Sequence, residues 1–561
     1  MSSICNTVGI GPTQYARSIF SEYAQVDNPL ISEYISSIPG RLSDAVKRIG
    51  DQLIVTKGEN ILSNRRKLSR HISAFHSQAG TDLPGVKRCL GNLCNPSTQI
   101  FISIHQPNLF SYGGVFKKIV LLQTIKSLLE KQNDSPKDSF VNLFVIVDHD
   151  FMDDVWIRAA QLPSIRHTSG NLELRMPVPG ANRWKLACKM PVPPIAIVDH
   201  WRKQVVSWIQ NGCSSLGIGK SERLVLLGNL EEFWMEVDES FSRAKSYADL
   251  NSFIMSRVVN RKWGYDTLFV RLSDLSEVFE EGLNFLLRNF RKYARILSEN
   301  NMMFLRNGID TGVSPSTYLN APVWLNCRCG SKASIKLHEI SGNILELSGT
   351  CMSCRKYLAL KLEKTNTRTI PNGLLNELSP RAIPILLLLS KDLGPCCYAS
   401  GTGGSRGYTM LGMTAFKQLS VKMPFTVVWA SNDVYSGMGQ SEALESLDLS
   451  NSAEILKYGK QLKKDLISFS MKITPLLSKR TDLVRDGKDI KDVLEELFLL
   501  KQEQRKIRQL LKANEKVKKA VTLKPCIIDY IVNFGLKNTE NIWRSSLIRN
   551  DDLGMPVLMR V

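Results

Sequence analysis

Long hydrophobic runs are missing from this 561-residue chain. The longest uncharged apolar stretch, Ala382 to Ser390, falls far short of the roughly 20 residues that cross a bilayer. The opening MSSICNTVGIGPTQYARSIF has no basic stretch followed by an apolar one, which argues against a secretory leader. A cytoplasmic protein with no membrane partner is therefore expected. Cysteine is sparse, 12 in 561 residues, too few for a disulfide scaffold. No five consecutive Lys or Arg residues occur, so there is no dedicated basic tail. No internal repeat is visible. The chain also lacks the Gly-Lys-Ser/Thr of a P-loop and the glycine fingerprint of a dinucleotide fold.

What is present suits a folded protein with a large core: 43% of residues are hydrophobic. The net charge is +20, from 73 Lys+Arg against 53 Asp+Glu. Such a surface attracts nucleic acid or phosphorylated and carboxylated small molecules, or serves solubility alone.

Organisation follows from periodicity. Residues 1–95 read as a helical region. The run QIFISIHQ (Gln99 to Gln106), an amphipathic helix from Val115 to Leu129 and the buried run FVNLFVIV (Phe140 to Val147) form a strand–helix–strand unit, which implies a parallel sheet. The fold class expected is α/β, a Rossmann-like core over 96–319 and 366–449. A cysteine-bearing insert occupies 320–365, a long antiparallel helical hairpin 450–520, and a returning segment 521–561. Glu173 to Val198 reads as irregular, Val278 to Glu299 as one helix, and Phe425 to Ser431 as a strand. In the hairpin, Ile455, Leu462, Leu466, Phe469, Ile473 and Leu476, then Ile490, Val493, Leu497, Leu500, Ile507 and Leu511, recur at coiled-coil spacing. That pattern suits either a homodimer seam or a helical pair packed on its own chain.

Four elements could carry chemistry. Cys327 and Cys329, about 20 residues before Cys351 and Cys354, flank two short strands, a zinc-ribbon plan for one structural Zn²⁺. His105 and Gln106 end a strand, and Pro107 and Asn108 turn the chain toward a helix whose first amides favour an anion. His105 is a candidate acid/base, or alternatively a structural histidine. Asp148, His149 and Asp150 follow the second strand and are candidates for binding an amine or a metal, with helix capping as the plainer role for Asp150. The run YASGTGGSRGY (Tyr398 to Tyr408) is a glycine loop able to wrap phosphate or carboxylate. Gln106, Asn108, Lys118, Gly401, Thr402, Gly403, Gly404 and Arg406 are the candidate binders of substrate or nucleotide.

In order along the chain, SIHQPNLFSYGGVFKKI, FVIVDHDF, LSPRAIP and YASGTGGSRGY resemble segments of the BshC family, the cysteine-adding enzymes of bacillithiol biosynthesis. A shorter stretch, HQPN, is also similar to the WbqC-like family. The chain departs from the BshC pattern at Val147, where the family has an acidic residue, and at Thr402, Gly403, Gly404 and Arg406, where Pro and Glu are usual. Arg381 is displaced from the family's Arg-Pro, and the zinc-ribbon-like insert is unusual. The resemblance implies a divergent ligase joining cysteine, or a related amino acid, to the amine of an amino-sugar-type acceptor. In that reading His105 or His149 takes the amine proton, and Asp148 and Asp150 hold an ammonium or a divalent ion. The glycine loop with Arg406 holds a phosphate or carboxylate, and ATP or another nucleotide is a possible cofactor. The competing expectation is a zinc-ribbon protein that binds nucleic acid without ligase activity, with a steep salt dependence.

Overall fold

The computed structural model describes residues 20–52, 58–132, 139–313, 320–341, 344–363, 370, 372–430 and 433–560. Cys5 and Ser431 lie outside them. Five strands form a parallel sheet: β1 (Gln99–His105), β2 (Phe140–Ile146), β3 (Leu268–Arg271), β4 (Cys397–Ser400) and β5 (Phe425–Val428). Their spatial order is β5-β4-β1-β2-β3. Starting at β1, the chain builds outward to β2 and β3, then crosses back to lay β4 and β5 on the other side. The order reverses between β1 and β4, and a crevice opens there above the strand ends. Among the described residues no sheet closes into a barrel.

The sequence explains why this sheet is covered on both sides. All seven residues of β2 are buried. Phe140, Phe144 and Ile146 enter one apolar core, while Val141, Leu143 and Val145 enter another. Strand side chains alternate between faces, so a strand apolar at positions of both parities needs cover above and below. Helix α1 (Gly113–Leu129) covers the first face against Tyr530 and Trp543. Gly113 permits that approach, because a Cβ there would lie 2.8 Å from Tyr530 Cε2. Helices α2 (Ala382–Leu393) and α3 (Met410–Gln418) cover the second face.

The cysteine-bearing segment forms a separate antiparallel sheet of Asn320–Asn326, Lys332–Ser341, Ile344–Cys351 and Tyr357–Glu363, joined by Leu378–Pro380. Its Val323, Leu325, Ile335 and Leu347 belong to the same apolar core as the second face of the parallel sheet. The segment is thus packed against the main body.

Two long helices follow, α4 (Ser452–Arg485) and α5 (Lys491–Thr522). Gly487 turns the chain between them in the left-handed region, at φ 67°. Asn514 Nδ2 donates to Ile455 O at 3.1 Å, and Gln504 Nε2 donates to Ser470 Oγ at 3.1 Å. Ile473, Val493 and Leu497 pack together near the turn. The helices therefore run antiparallel, and Ile455, Val517 and Ala520 anchor their base on Ala443.

Three segments depart from expectation. At the start of the stretch read as irregular, Glu173 to Arg175 belong to a strand, Asn171–Arg175, paired antiparallel with Ala159–Pro163. The helix expected from Val278 to Glu299 is two, Glu280–Arg288 and Phe290–Arg306. They part at Asn289, whose side-chain amide donates to Phe285 O and so competes with regular helix bonding. The glycine loop is helical: Thr402–Gly404, a wide turn Ser405–Thr409 and α3 run on without a break. Among the described residues no helix is long and apolar enough to cross a membrane.

Candidate active site and metal centre

Strand β1 stops at His105, two residues before Pro107, which has no N–H for a neighbouring strand. Above this end, at the reversal of strand order, lies a cavity of about 440 Å³. His105, Gln106, Asn108, Lys118, Asp150 and the turn Gly401 to Gly404 all line it.

His105 places Nδ1 3.1 Å from Gln106 O and Nε2 3.3 Å from Tyr112 Oη. Nδ1 faces a carbonyl, so it carries the proton, and Nε2 is left to accept from the Tyr112 hydroxyl. Burial and the neighbouring charge of Lys118 push the imidazole down to about 3. The ring is neutral at physiological pH and presents Nε2 as an acceptor.

Lys118 sits one turn into α1, with Nζ 3.2 Å from Ile104 O. Burial pulls its ammonium down to about 8, so it is still mostly a cation at neutral pH. A Cβ on Gly401 would lie 3.3 Å from Lys118 Cε. Ser405 N–H donates to Gly401 O at 2.9 Å, the first bond of the helical run. The start of this helical run therefore lies beside the Lys118 side chain, and a helix start next to an ammonium favours an oxyanion.

Gln106 Nε2 donates to Asp150 Oδ2 at 2.6 Å, which holds the carboxylate at the cavity wall. Burial raises the Asp150 carboxyl above its ordinary range. Asn108, expected to turn the chain, is buried at the cavity wall, and its Oδ1 has no hydrogen-bond partner among the described residues. It is available to a ligand N–H.

Three sequence candidates fall elsewhere. Asp148 is fully buried and accepts from Ser273 N–H at 2.9 Å and from Ser273 Oγ at 2.5 Å. It ties the end of β2 to the end of β3, and burial raises it to about 6. His149 is buried outside the cavity, where its backbone carbonyl accepts from Lys332 Nζ at 2.6 Å. Burial, with Lys332 and Lys189 nearby, pushes His149 down to about 3. Arg406 pairs with Glu22, while its carbonyl accepts from the Tyr23 hydroxyl, so its guanidinium turns away from the cavity. The helical course of Ser405–Thr409 aims that side chain outward.

Four cavity residues were missed. Tyr112, seven residues after His105, had a signal in its place just before the Gly-Gly helix start. Tyr408 was inside the glycine run but read only as a boundary. Lys332 and Arg381 line a second cavity beside Asp150, and only tertiary packing brings them there.

The four ribbon cysteines come together. All four Sγ atoms lie within 4.8 Å of one another, with Cys327–Cys354 at 3.6 Å and Cys329–Cys351 at 3.5 Å. Thiolates at about 2.3 Å around one tetrahedral ion would stand about 3.8 Å apart, so the set fits a metal ion and is far too open for a disulfide. Gly330, at φ 86°, and Arg355, at φ 61°, close the two cysteine turns.

Comparison with protein-family models and with curated proteins finds no match.

Proposed function

We propose that the protein is a cytoplasmic ligase of the BshC kind, with a Rossmann-like core, joining cysteine or a related amino acid to the amine of an amino-sugar-type acceptor. The observation that carries this reading is the convergence of His105, Asp150 and the Lys118–Gly401 oxyanion site in one cavity at the strand-order reversal. Amide formation needs a base for the amine, a group that holds the incoming ammonium, and stabilisation of negative charge on the activated carboxyl. Neutral His105 receives the proton at Nε2 as C–N bond formation makes the amine nitrogen acidic. Asp150 orients the amine before it is deprotonated. Lys118 and the amides of the opening turn hold the phosphate of a carboxyl group activated from a nucleoside triphosphate. Asp148 and His149 are assigned to support of the sheet end.

The four cysteines are assigned to structural Zn²⁺, which would fix the ribbon turns and take no part in the reaction. The helical pair is assigned to homodimerisation through a coiled coil. Support for that comes from a second apolar surface: Met471 is 71% exposed and Phe498 67%, although the inner seam is already filled.

Metabolite profiling of a deletion strain tests the reaction class. One low-molecular-weight thiol should disappear, return with the wild-type chain, and stay absent with His105→Ala. An unchanged thiol pool would contradict the proposal.

A further inference from the structure

A second cavity, of about 270 Å³, lies between the ribbon and the parallel sheet. It shares Asp150, Tyr408, Ala382 and Ile383 with the first, so the two meet at Asp150. The ribbon contributes Trp324 and Lys332, helix Phe290–Arg306 contributes Tyr293, and Arg381 stands at the start of α2.

Lys332 is 3% exposed. Its ammonium lies 4.8 Å from the Phe151 ring centre and 4.7 Å from that of Trp324, and it spends one donor on His149 O. Arg381 stacks 4.1 Å from the Trp324 ring centre. Its Nε donates to Ala321 O and its Nη2 to Ser334 Oγ, and among the described residues Nη1 is left for another acceptor. Tyr293 is 4% exposed, yet its hydroxyl has no partner among the described residues. An unpaired hydroxyl buried beside two cations is costly unless something accepts from it.

We infer that this chamber binds the carboxylate end of a small organic ligand, with Lys332, Arg381 and the Tyr293 hydroxyl donating to its oxygens. Two cations face a single carboxylate, Asp150, among the described lining residues, so the surplus charge matches a monoanion. A phosphate dianion is better served in the first chamber by Lys118 and the helix start. The aromatic walls of Phe151, Trp324 and Tyr293 suit a flat or apolar body attached to the carboxylate. The assignment does not depend on which reaction the first chamber runs.

The test is a titration of the full chain with benzoate, followed by ligand-detected NMR, beside benzyl alcohol as the neutral analogue and sulfate as competitor. Benzoate should bind at least about tenfold more tightly than benzyl alcohol, and Lys332→Met should weaken it at least about tenfold. Tyr293→Phe should weaken it about threefold with no fall in Tm, because its hydroxyl has no partner among the described residues. This variant keeps the test decisive should Lys332→Met fail to fold. Sulfate should not displace benzoate. Absence of benzoate binding, binding untouched by Tyr293→Phe and Arg381→Met, or displacement by sulfate that depends on Lys118 would each overturn the inference.

Discussion

Asp148, His149 and Asp150 show what a three-residue polar motif does and does not reveal. Each is one step along the chain from the next, so the three side chains leave a strand end in different directions. Asp148 turns inward to Ser273, His149 lies buried beside the ribbon, and only Asp150 reaches the cavity, through Gln106. A polar strand end was legible in the sequence; which of three neighbours faces the cavity depends on β3 and the ribbon, which arrive from far along the chain. Lys118 was among the expected binders, and the structure places it at the cavity wall. Its lowered pKa yields a sharp expectation. The cation is present below about 8 and is lost above it. Sulfate keeps its charge over this range, so its affinity should fall roughly tenfold between about pH 7 and pH 9 as the protonated fraction drops. Isothermal titration of Lys118→Met should show weak binding with no such slope. A wild-type affinity that stays flat through pH 8 would contradict the Lys118 assignment.

At the scale of elements, the parallel strands were the most legible part. FISI and FVNLFVIV carry apolar residues at positions facing both sides, with only Ser103 and Asn142 polar, as doubly covered strands require. The turn and helix at Gly401 were read as a loop, because glycine punctuates local sequence. Here the glycines instead let a helix start pass close to Lys118, and let α3 approach Ile383 at Gly412. The ribbon was legible from cysteine spacing, but its burial against the sheet was not, because Val323, Ile335 and Leu347 are ordinary apolar strand residues with no sign of their partner. This packing couples the metal turn to the second cavity. Cys327 N–H donates to Ser331 O at 2.8 Å, and Lys332 comes next in the chain. Cys351→Ser should therefore abolish binding of about one Zn²⁺ per chain and lower Tm by roughly 5 °C. It should also weaken benzoate binding about as much as Lys332→Met does. Metal analysis beside calorimetry checks the first two, and a folded wild-type protein free of zinc would contradict the metal assignment.

For the whole molecule, the proposed dimer rests on the helical pair. Leu462 and Leu497 are buried within one chain, so charges there would open the pair and not test association. The exposed outer residues are the informative ones. Met471→Glu with Phe498→Glu should turn a dimer into a monomer in sedimentation velocity while leaving Tm within about 2 °C, since surface changes of this kind cost little in the monomer. A wild-type chain that sediments as a monomer would contradict the coiled-coil assignment and leave the pair as a projection of its own chain. The most direct measurement of the central claim is mass-spectrometric detection of an amide after the purified protein is incubated with L-cysteine, glucosamine and Mg-ATP. The wild type is expected to form the cysteinyl amide, and His105→Ala to form it at least about a hundredfold more slowly. No amide from the wild type, or equal rates from His105→Ala, would contradict the account.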